Sequence, residues 1–442
     1  METSLHAHDA YIPAVLNSFG VPWNDVAYVG SQIHSTYAAM MAIGGILVLV
    51  IIRYTSIKTS FTSVVFLSGT SVVLFAFSQN VTMTGVSIAL IGLFSGAGIM
   101  CVRLICYNIC NTDNQYNLTG WLITAPLGLA GLVGPGFGSI CVLLPQNYPD
   151  LFGKNSFLLR FPIVVPNITI GCAMLLVVLL SCYLLDEEQM NKEVETNVVE
   201  NSKKEGSFSF TSIWNFMKKM PFDRDYLLAT VLVVIHGTTV SGYGSIIANF
   251  LLTPSHLNGY GLDSSKVGIL YLVIACLSYL SNTLAAPKLN SYLGSRSAFK
   301  ILSLCMVLLI SLIPNETAFL STQHTFLLGL HLTLIKVVEG AQFIASTVFI
   351  QNSTAKEVAA PAIVFAYTLN KAVHALANLS YGKMFSWSLT NNRGIYEEGL
   401  GFPFNHYMTF YYFALWHLVN AVISSHVRKD IDERKEVAVS QN

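Results

Sequence analysis

Charge is what this 442-residue sequence has least of. Asp, Glu, Lys and Arg make up 11% of it, against about 25% in a soluble globular domain. So few charged side chains cannot clothe the surface of a water-soluble protein of this length. Disorder is excluded as well, because a disordered chain combines high charge with low hydrophobicity. The 24 basic and 24 acidic residues cancel, so no net field draws nucleic acid or another polyanion. Loop cysteines are missing too: positions 101, 106, 110, 141, 172, 182, 276 and 305 all fall inside or at the ends of apolar stretches. That excludes a disulfide framework, and no CxxC or His/Cys ligand spacing supports a metal site. No phosphate loop, nucleophile elbow or carboxylate dyad occurs, so neither enzyme chemistry nor a cofactor is expected.

What is abundant is apolar. Hydrophobic residues are 53% of the chain, and stretches of the ~20 residues that a spanning helix needs recur almost throughout. The runs predict eleven spans, at 26–52, 61–79, 84–109, 118–144, 156–185, 226–253, 264–286, 298–314, 324–351, 358–386 and 402–426. This is the pattern of an all-α polytopic membrane protein. One polar stretch, Asp186 to Asp225, interrupts it and holds 15 of the 48 charged residues. It reads as a linker, and its end, Phe208 to Met220, as a short interfacial helix. The chain then divides into a first transmembrane half at 1–185, the linker at 186–225, a second half at 226–427 and a tail at 428–442. Two halves of similar length around one charged loop are the mark of an internally duplicated transporter.

The first half is one span short. Ala10 to Phe19 is apolar but holds Pro13 and Asn17, and ten residues cannot cross a bilayer as a helix. With no Lys or Arg before it, the stretch does not read as a signal peptide. It is expected to be the outer end of a first helix completed by upstream sequence of about 10–15 residues. Orientation follows from the basic residues. Sixteen of the 24 lie in one alternate set of loops, which includes the linker and the tail. Five lie at the opposite rim and three inside spans. Linker and tail are therefore expected in the cytosol.

The three basic residues deep inside spans are Arg103, Lys336 and Lys371, and the one acid there is Glu339. Each costs about 2.5–3.5 kcal/mol on insertion scales, so each is expected to face a partner or a cavity. Lys336 and Glu339 are three residues apart, on one helix face. Lys371 and His374 repeat that spacing. His236 stands beside Gly237, Thr238, Thr239 and Ser241, which together make a polar face. Blander readings stand beside these: Arg103 snorkelling to headgroups, Lys336–Glu339 as a structural ion pair, His236 and His374 as satisfied interior histidines. His417, alone on an apolar face, reads as packing. Glycine supplies the second signal. Span 118–144 carries GLAGLVGPGFGS from Gly128 to Ser139, where Gly134, Pro135 and Gly138 predict a helix that bends during gating.

These strings carry a resemblance. Ala130 to Ser139 resembles the GxxxGPxxGG motif in the fifth helix of the major facilitator superfamily. Leu289 to Arg296 is similar to a worn copy of that superfamily's loop motif, whereas the matching loop at Arg53 to Ser60 lacks it. Within the superfamily, GAGIMCVR (96–103) and LGLAGLVGP (127–135) look most like the lysosomal branch associated with neuronal ceroid lipofuscinosis type 7. The resemblance implies a fold of two six-helix halves, here with the first helix incomplete. It also implies a cavity lined by helices one, four, seven and ten, and gating roles for Gly294 and Arg296. Arg103, His236, Lys336 and Glu339 fall on those cavity helices.

The combined expectation is a monomeric secondary transporter of a small anionic solute in the lipid bilayer. Arg103, Lys371, Lys336 and His236 are expected to hold the solute, and Glu339 with His374 to carry a coupling proton. A lysosomal membrane follows from the resemblance, with the plasma membrane as the alternative. A passive anion channel and a non-transporting receptor or scaffold are the competing functions.

Overall fold

Twenty residues of α-helix are about 30 Å long, the thickness of a hydrocarbon core, and the chain is built from rods of that size and longer. The computed structural model describes residues 12, 15–16, 18–126, 130, 134, 137–138, 141, 148, 150, 157–161, 163–184, 222–255, 258–319, 325–354, 358–391 and 399–433. Ten long helices stand among them: α1 (Trp23–Tyr54), α2 (Ile57–Ala76), α3 (Val81–Ile109), α4 (Val164–Leu184), α5 (Arg224–Leu252), α6 (Ser264–Leu280), α7 (Ser295–Phe319), α8 (Thr325–Asn352), α9 (Ala359–Thr390) and α10 (Tyr407–Ser424). Side chains set several starts by accepting a first-turn backbone N–H. Ser56, Asn80, Asp223 and Asp263 do so for α2, α3, α5 and α6.

Eight helices among the described residues are long and apolar enough to cross a membrane. The eleven-span expectation is therefore met in part. Helices α9 and α10 occupy the last two expected positions but are more polar, because they carry Asn370, Lys371, His374, Asn378, His417 and Asn420. All of these except Lys371 are buried against other helices. Span 118–144 is described only in part: a short helix Gln115–Thr119 runs into a π-helical turn, Gly120–Thr124. Gly134 and Gly138 are helical and buried, while Pro135 lies outside the described residues. The linker up to residue 221 lies outside them too, with the interfacial helix expected at its end. Ile12, Val15 and Leu16, from the short first stretch, are buried in the first-half core.

The packing repeats itself. Helix α1 lies on α3 as α6 does on the helix α8. The pairs α2–α4 and α2–α3 recur as α7–α10 and α7–α8. Counting the first stretch and span 118–144, α1 to α3 take the places of helices two to four of twelve. α4 is then the sixth and α5 to α10 the seventh to twelfth. Among the described residues the halves meet in two main places: α9 against α1 and α3, and the 115–124 segment against Ser281–Ala285, Ala286–Leu293 and α8. At the second place Gly120–Thr124 and Ser281–Ala285 are both π-helical turns. Close approach within the first half depends on glycine. A Cβ on Gly44 would sit 1.9 Å from the Leu93 carbonyl oxygen, and one on Gly96 2.2 Å from that of Met41, so α1 and α3 touch backbone to backbone.

Apolar residues also mark the outside. On α4, Leu176, Leu179, Tyr183 and Leu184 are each more than half exposed. In water such a face would be a liability, and in a bilayer it is the solvent-facing surface. Inside, each half has its own core. A third cluster joins them near the tail: Ala97, Cys101 and Leu104 of α3 meet Leu232 of α5, Phe349 of α8, Ala362 and Tyr367 of α9, and Val427 and Ile431 beyond α10. The halves are thus closed on each other at the tail end.

Candidate functional site

The expected site residues fall into three groups. The first is centred on α8. Lys336 Nζ lies 2.9 Å from Glu339 Oε2, with the side chains 31% and 18% exposed. The i, i+3 spacing put them on one face, and tertiary packing adds a third member. Tyr243 of α5 is fully buried, and its hydroxyl donates to the same Glu339 oxygen. Lys336 Nζ also lies 5.4 Å from the centre of the Tyr243 ring. One carboxylate oxygen therefore receives a cationic and a neutral donor, which is how a charge is held in a low-dielectric interior.

His236 lies seven residues before Tyr243, two turns down the same face of α5. Its ring meets Phe299 edge-on at 5.6 Å and His417 of α10 at 6.4 Å. Neither ring nitrogen of His236 or of His417 has a hydrogen-bond partner among the described residues. His417 is fully buried, as its packing reading requires, but beside another imidazole rather than a purely apolar surface.

The second group is Arg103. It is 6% exposed and does not reach toward headgroups. Its guanidinium carbon lies 3.5 Å from the centre of the Tyr367 ring on α9 and 5.3 Å from that of Phe343 on α8. Tyr367 is fixed in turn by donating to Thr347 Oγ1 at 3.0 Å. A first-half cation is thus clamped by two second-half rings, while its Nε and Nη1 find no hydrogen-bond partner among the described residues. Stacking on aromatic faces suits arginine because its planar cation is weakly hydrated.

Lys371 and His374 form the third group, on α9. His374 is buried, three residues after Lys371 on the same helix. On either side α9 is pinned by polar bonds, Ser35 Oγ to the Ala375 carbonyl at 2.6 Å and Asn370 Nδ2 to that of Val233 at 2.8 Å. Gly237, next to His236, makes room for Asn370, whose Nδ2 would come within 2.3 Å of an added Cβ. Gly294 and Arg296, the pair expected to gate, sit at the tail end. Gly294 adopts φ +74°, and Arg296 donates to the Ser425 carbonyl. Among the described residues no group of three His, Cys, Asp or Glu is placed to hold a metal ion.

Tyr243, Phe343 and Tyr367 are missed by sequence reasoning. Aromatics are common in apolar spans, and only helix crossing decides which of them meets a buried charge.

No family model matches the sequence, and no curated protein matches it. Solved structures do match. The human organic anion transporter MFSD10 (TETRAN) is similar with a TM-score of 0.66 at 13% identity, over 96% of this chain and 96% of that one. The Escherichia coli fucose:proton symporter FucP gives 0.62 at 14%, over 97% and 98%. A bacterial homolog of the human lysosomal transporter Spinster gives 0.62 at 11%, over 98% and 95%. The chain has the major facilitator superfamily fold, and eight of its described helices are long and apolar enough to cross a membrane.

Proposed function

We propose that this chain is a secondary transporter that moves a small organic anion across a membrane by alternating access, coupled to protons through Glu339. The observation that carries the reading is the pairing of a half-buried site with a buried one. One is a carboxylate held between Lys336 and Tyr243. The other is a guanidinium at the seam of the halves whose Nε and Nη1 have no hydrogen-bond partner among the described residues. A titratable acid inside a span is suited to carry a proton, and a buried arginine to take a carboxylate or sulfonate. Two solved structures of this fold support the reading, since one is named an organic anion transporter and another a proton symporter.

Reconstitution tests it. The full-length chain in liposomes with a pH gradient, offered a panel of monocarboxylates, dicarboxylates and sulfonates, should take up at least one of them saturably. A protonophore should abolish the stimulation. Voltage-driven current without saturation would establish the channel instead, and binding without flux the receptor.

The address we propose is the endolysosomal membrane, on the strength of the GAGIMCVR and LGLAGLVGP runs. A tagged chain should co-fractionate with lysosomal markers. Recovery of most of it by cell-surface biotinylation would place it in the plasma membrane.

A further inference from the structure

The stretch after α10 reads in sequence as a charged tail, yet residues 425–433 fold back under the bundle. Val427 and Ile431 are 2% and 0% exposed, plugged into the core that both halves share. Asp432, on the same short segment, is placed among polar groups from three other parts of the chain. The backbone N–H of Ser295, at the start of α7, lies 3.1 Å from Oδ1 and 3.3 Å from Oδ2. The hydroxyl of Tyr116 donates to Oδ1 at 2.6 Å. Gln115 Nε2 donates to the Asp432 carbonyl at 2.8 Å, and Asn352 Nδ2 to that carbonyl and to the one of Ile431, both at 3.0 Å. Asn352 also donates to Gln115 Oε1 at 2.9 Å, which closes the ring of contacts.

Gln115 and Tyr116 belong to the first half, and Ser295 and Asn352 to the second. A carboxylate at the start of a long helix is favoured by the unpaired N–H groups and dipole there. Here the carboxylate is bound, by a helix start and a phenol together. Gly294 is shaped for it: a Cβ at that position would approach Asp432 Oδ2 to 2.9 Å. Burial, and then the hydrogen bond to Asp432, hold the Tyr116 phenol above the ordinary tyrosine range, so it stays a donor.

We infer that the inner face carries a carboxylate-binding site spanning both halves, filled by Asp432 of this chain's own tail, which latches the inner gate shut. Opening the halves at this end must pull Gln115 and Tyr116 away from Ser295 and Asn352, and Asp432 cannot then serve both sides. The inference does not depend on which solute is carried, and its test uses none.

Two native thiols report the gate. Cys106 and Cys110 are 0% and 4% exposed and are packed with Ile123, Leu118 and Leu122 of the first half and Phe343 of the second. Opening the inner gate removes Phe343 and exposes them. The full-length protein in nanodiscs is treated with N-ethylmaleimide, and labelling of each cysteine is followed by mass spectrometry. Asp432→Asn should raise the labelling rate of Cys106 and Cys110 about tenfold, the effect of losing charge-assisted hydrogen bonds. Tyr116→Phe should raise it by less and add little to Asp432→Asn in the double variant, because the two groups share one bond. Asp430→Asn is the control, since that side chain is 64% exposed and its nearest cation is 3.7 Å away. The latch is overturned if Asp432→Asn and Tyr116→Phe both label at the wild-type rate, or if Asp430→Asn labels as fast as Asp432→Asn. Should Asp432→Asn fail to fold, Tyr116→Phe decides by itself: a wild-type rate rejects the latch.

Discussion

Replacing Glu339 by Gln is expected to abolish proton-driven accumulation while leaving solute exchange in place. Glutamine keeps the shape and can still accept from Tyr243 and Lys336, but it cannot change its protonation. A pH difference of about two units is worth about 2.7 kcal/mol per proton, enough for about 100-fold accumulation in a one-proton cycle. The variant should hold the solute at equal concentrations on both sides, and counterflow of labelled for unlabelled solute should persist within about threefold. The competing view makes Glu339 only the counter-ion of Lys336, at 2.9 Å. Removing one partner leaves the other charge uncompensated in a partly buried place, so on that view Glu339→Gln should express poorly. Lys336→Met with Glu339→Leu separates the two, because it removes both charges together. Proton-driven uptake by that double variant would end the coupling role.

Arg103 is expected to have the second-largest effect. Arg103→Ala should lower anion uptake about 100-fold, in line with the 2–5 kcal/mol lost when one partner of a buried charged pair is truncated. Arg103→Lys should recover only about a tenth of wild-type uptake, because a point charge neither forks onto a carboxylate nor stacks on Tyr367. The loss should appear as weakened binding of the anion. If Arg103 serves only as a clamp between the halves, the outcome differs. The Ala variant would then bind the anion with unchanged affinity and lose about 0.5–2 kcal/mol of stability, the worth of the cation–π contacts alone. Tyr367→Leu should share that stability loss on either view, so the affinity measurement on the folded Ala variant is the discriminating one.

The proposed latch and the two sites proposed for transport are linked through packing. Arg103 stacks on Tyr367 within the core that the halves share, and Val427 and Ile431 plug the same core from below. Glu339 lies toward the middle of α8, and Asn352, which grips the tail, ends that helix. A change of charge at Glu339 and release of Asp432 would therefore act on the middle and the end of one helix.

What could be read without coordinates follows from the period of a helix and the solvent of a membrane. Apolar runs of spanning length announced the bundle, because a bilayer leaves the backbone no other way to satisfy its hydrogen bonds. The i, i+3 spacing of Lys336 and Glu339 announced their pairing, because neighbours on one helix face are set by local geometry alone. Arg103, Lys336, Lys371 and Glu339 stood out because charge is costly in those spans. Contacts between helices were decided elsewhere. Tyr243 reaches Glu339, and Tyr367 reaches Arg103, only through crossing angles and registers that no single helix encodes. Asp432 is the clearest case. In sequence it is one more acid in a charged tail, and it becomes a bound carboxylate because Val427 and Ile431 anchor the chain where a helix start and a tyrosine from opposite halves converge.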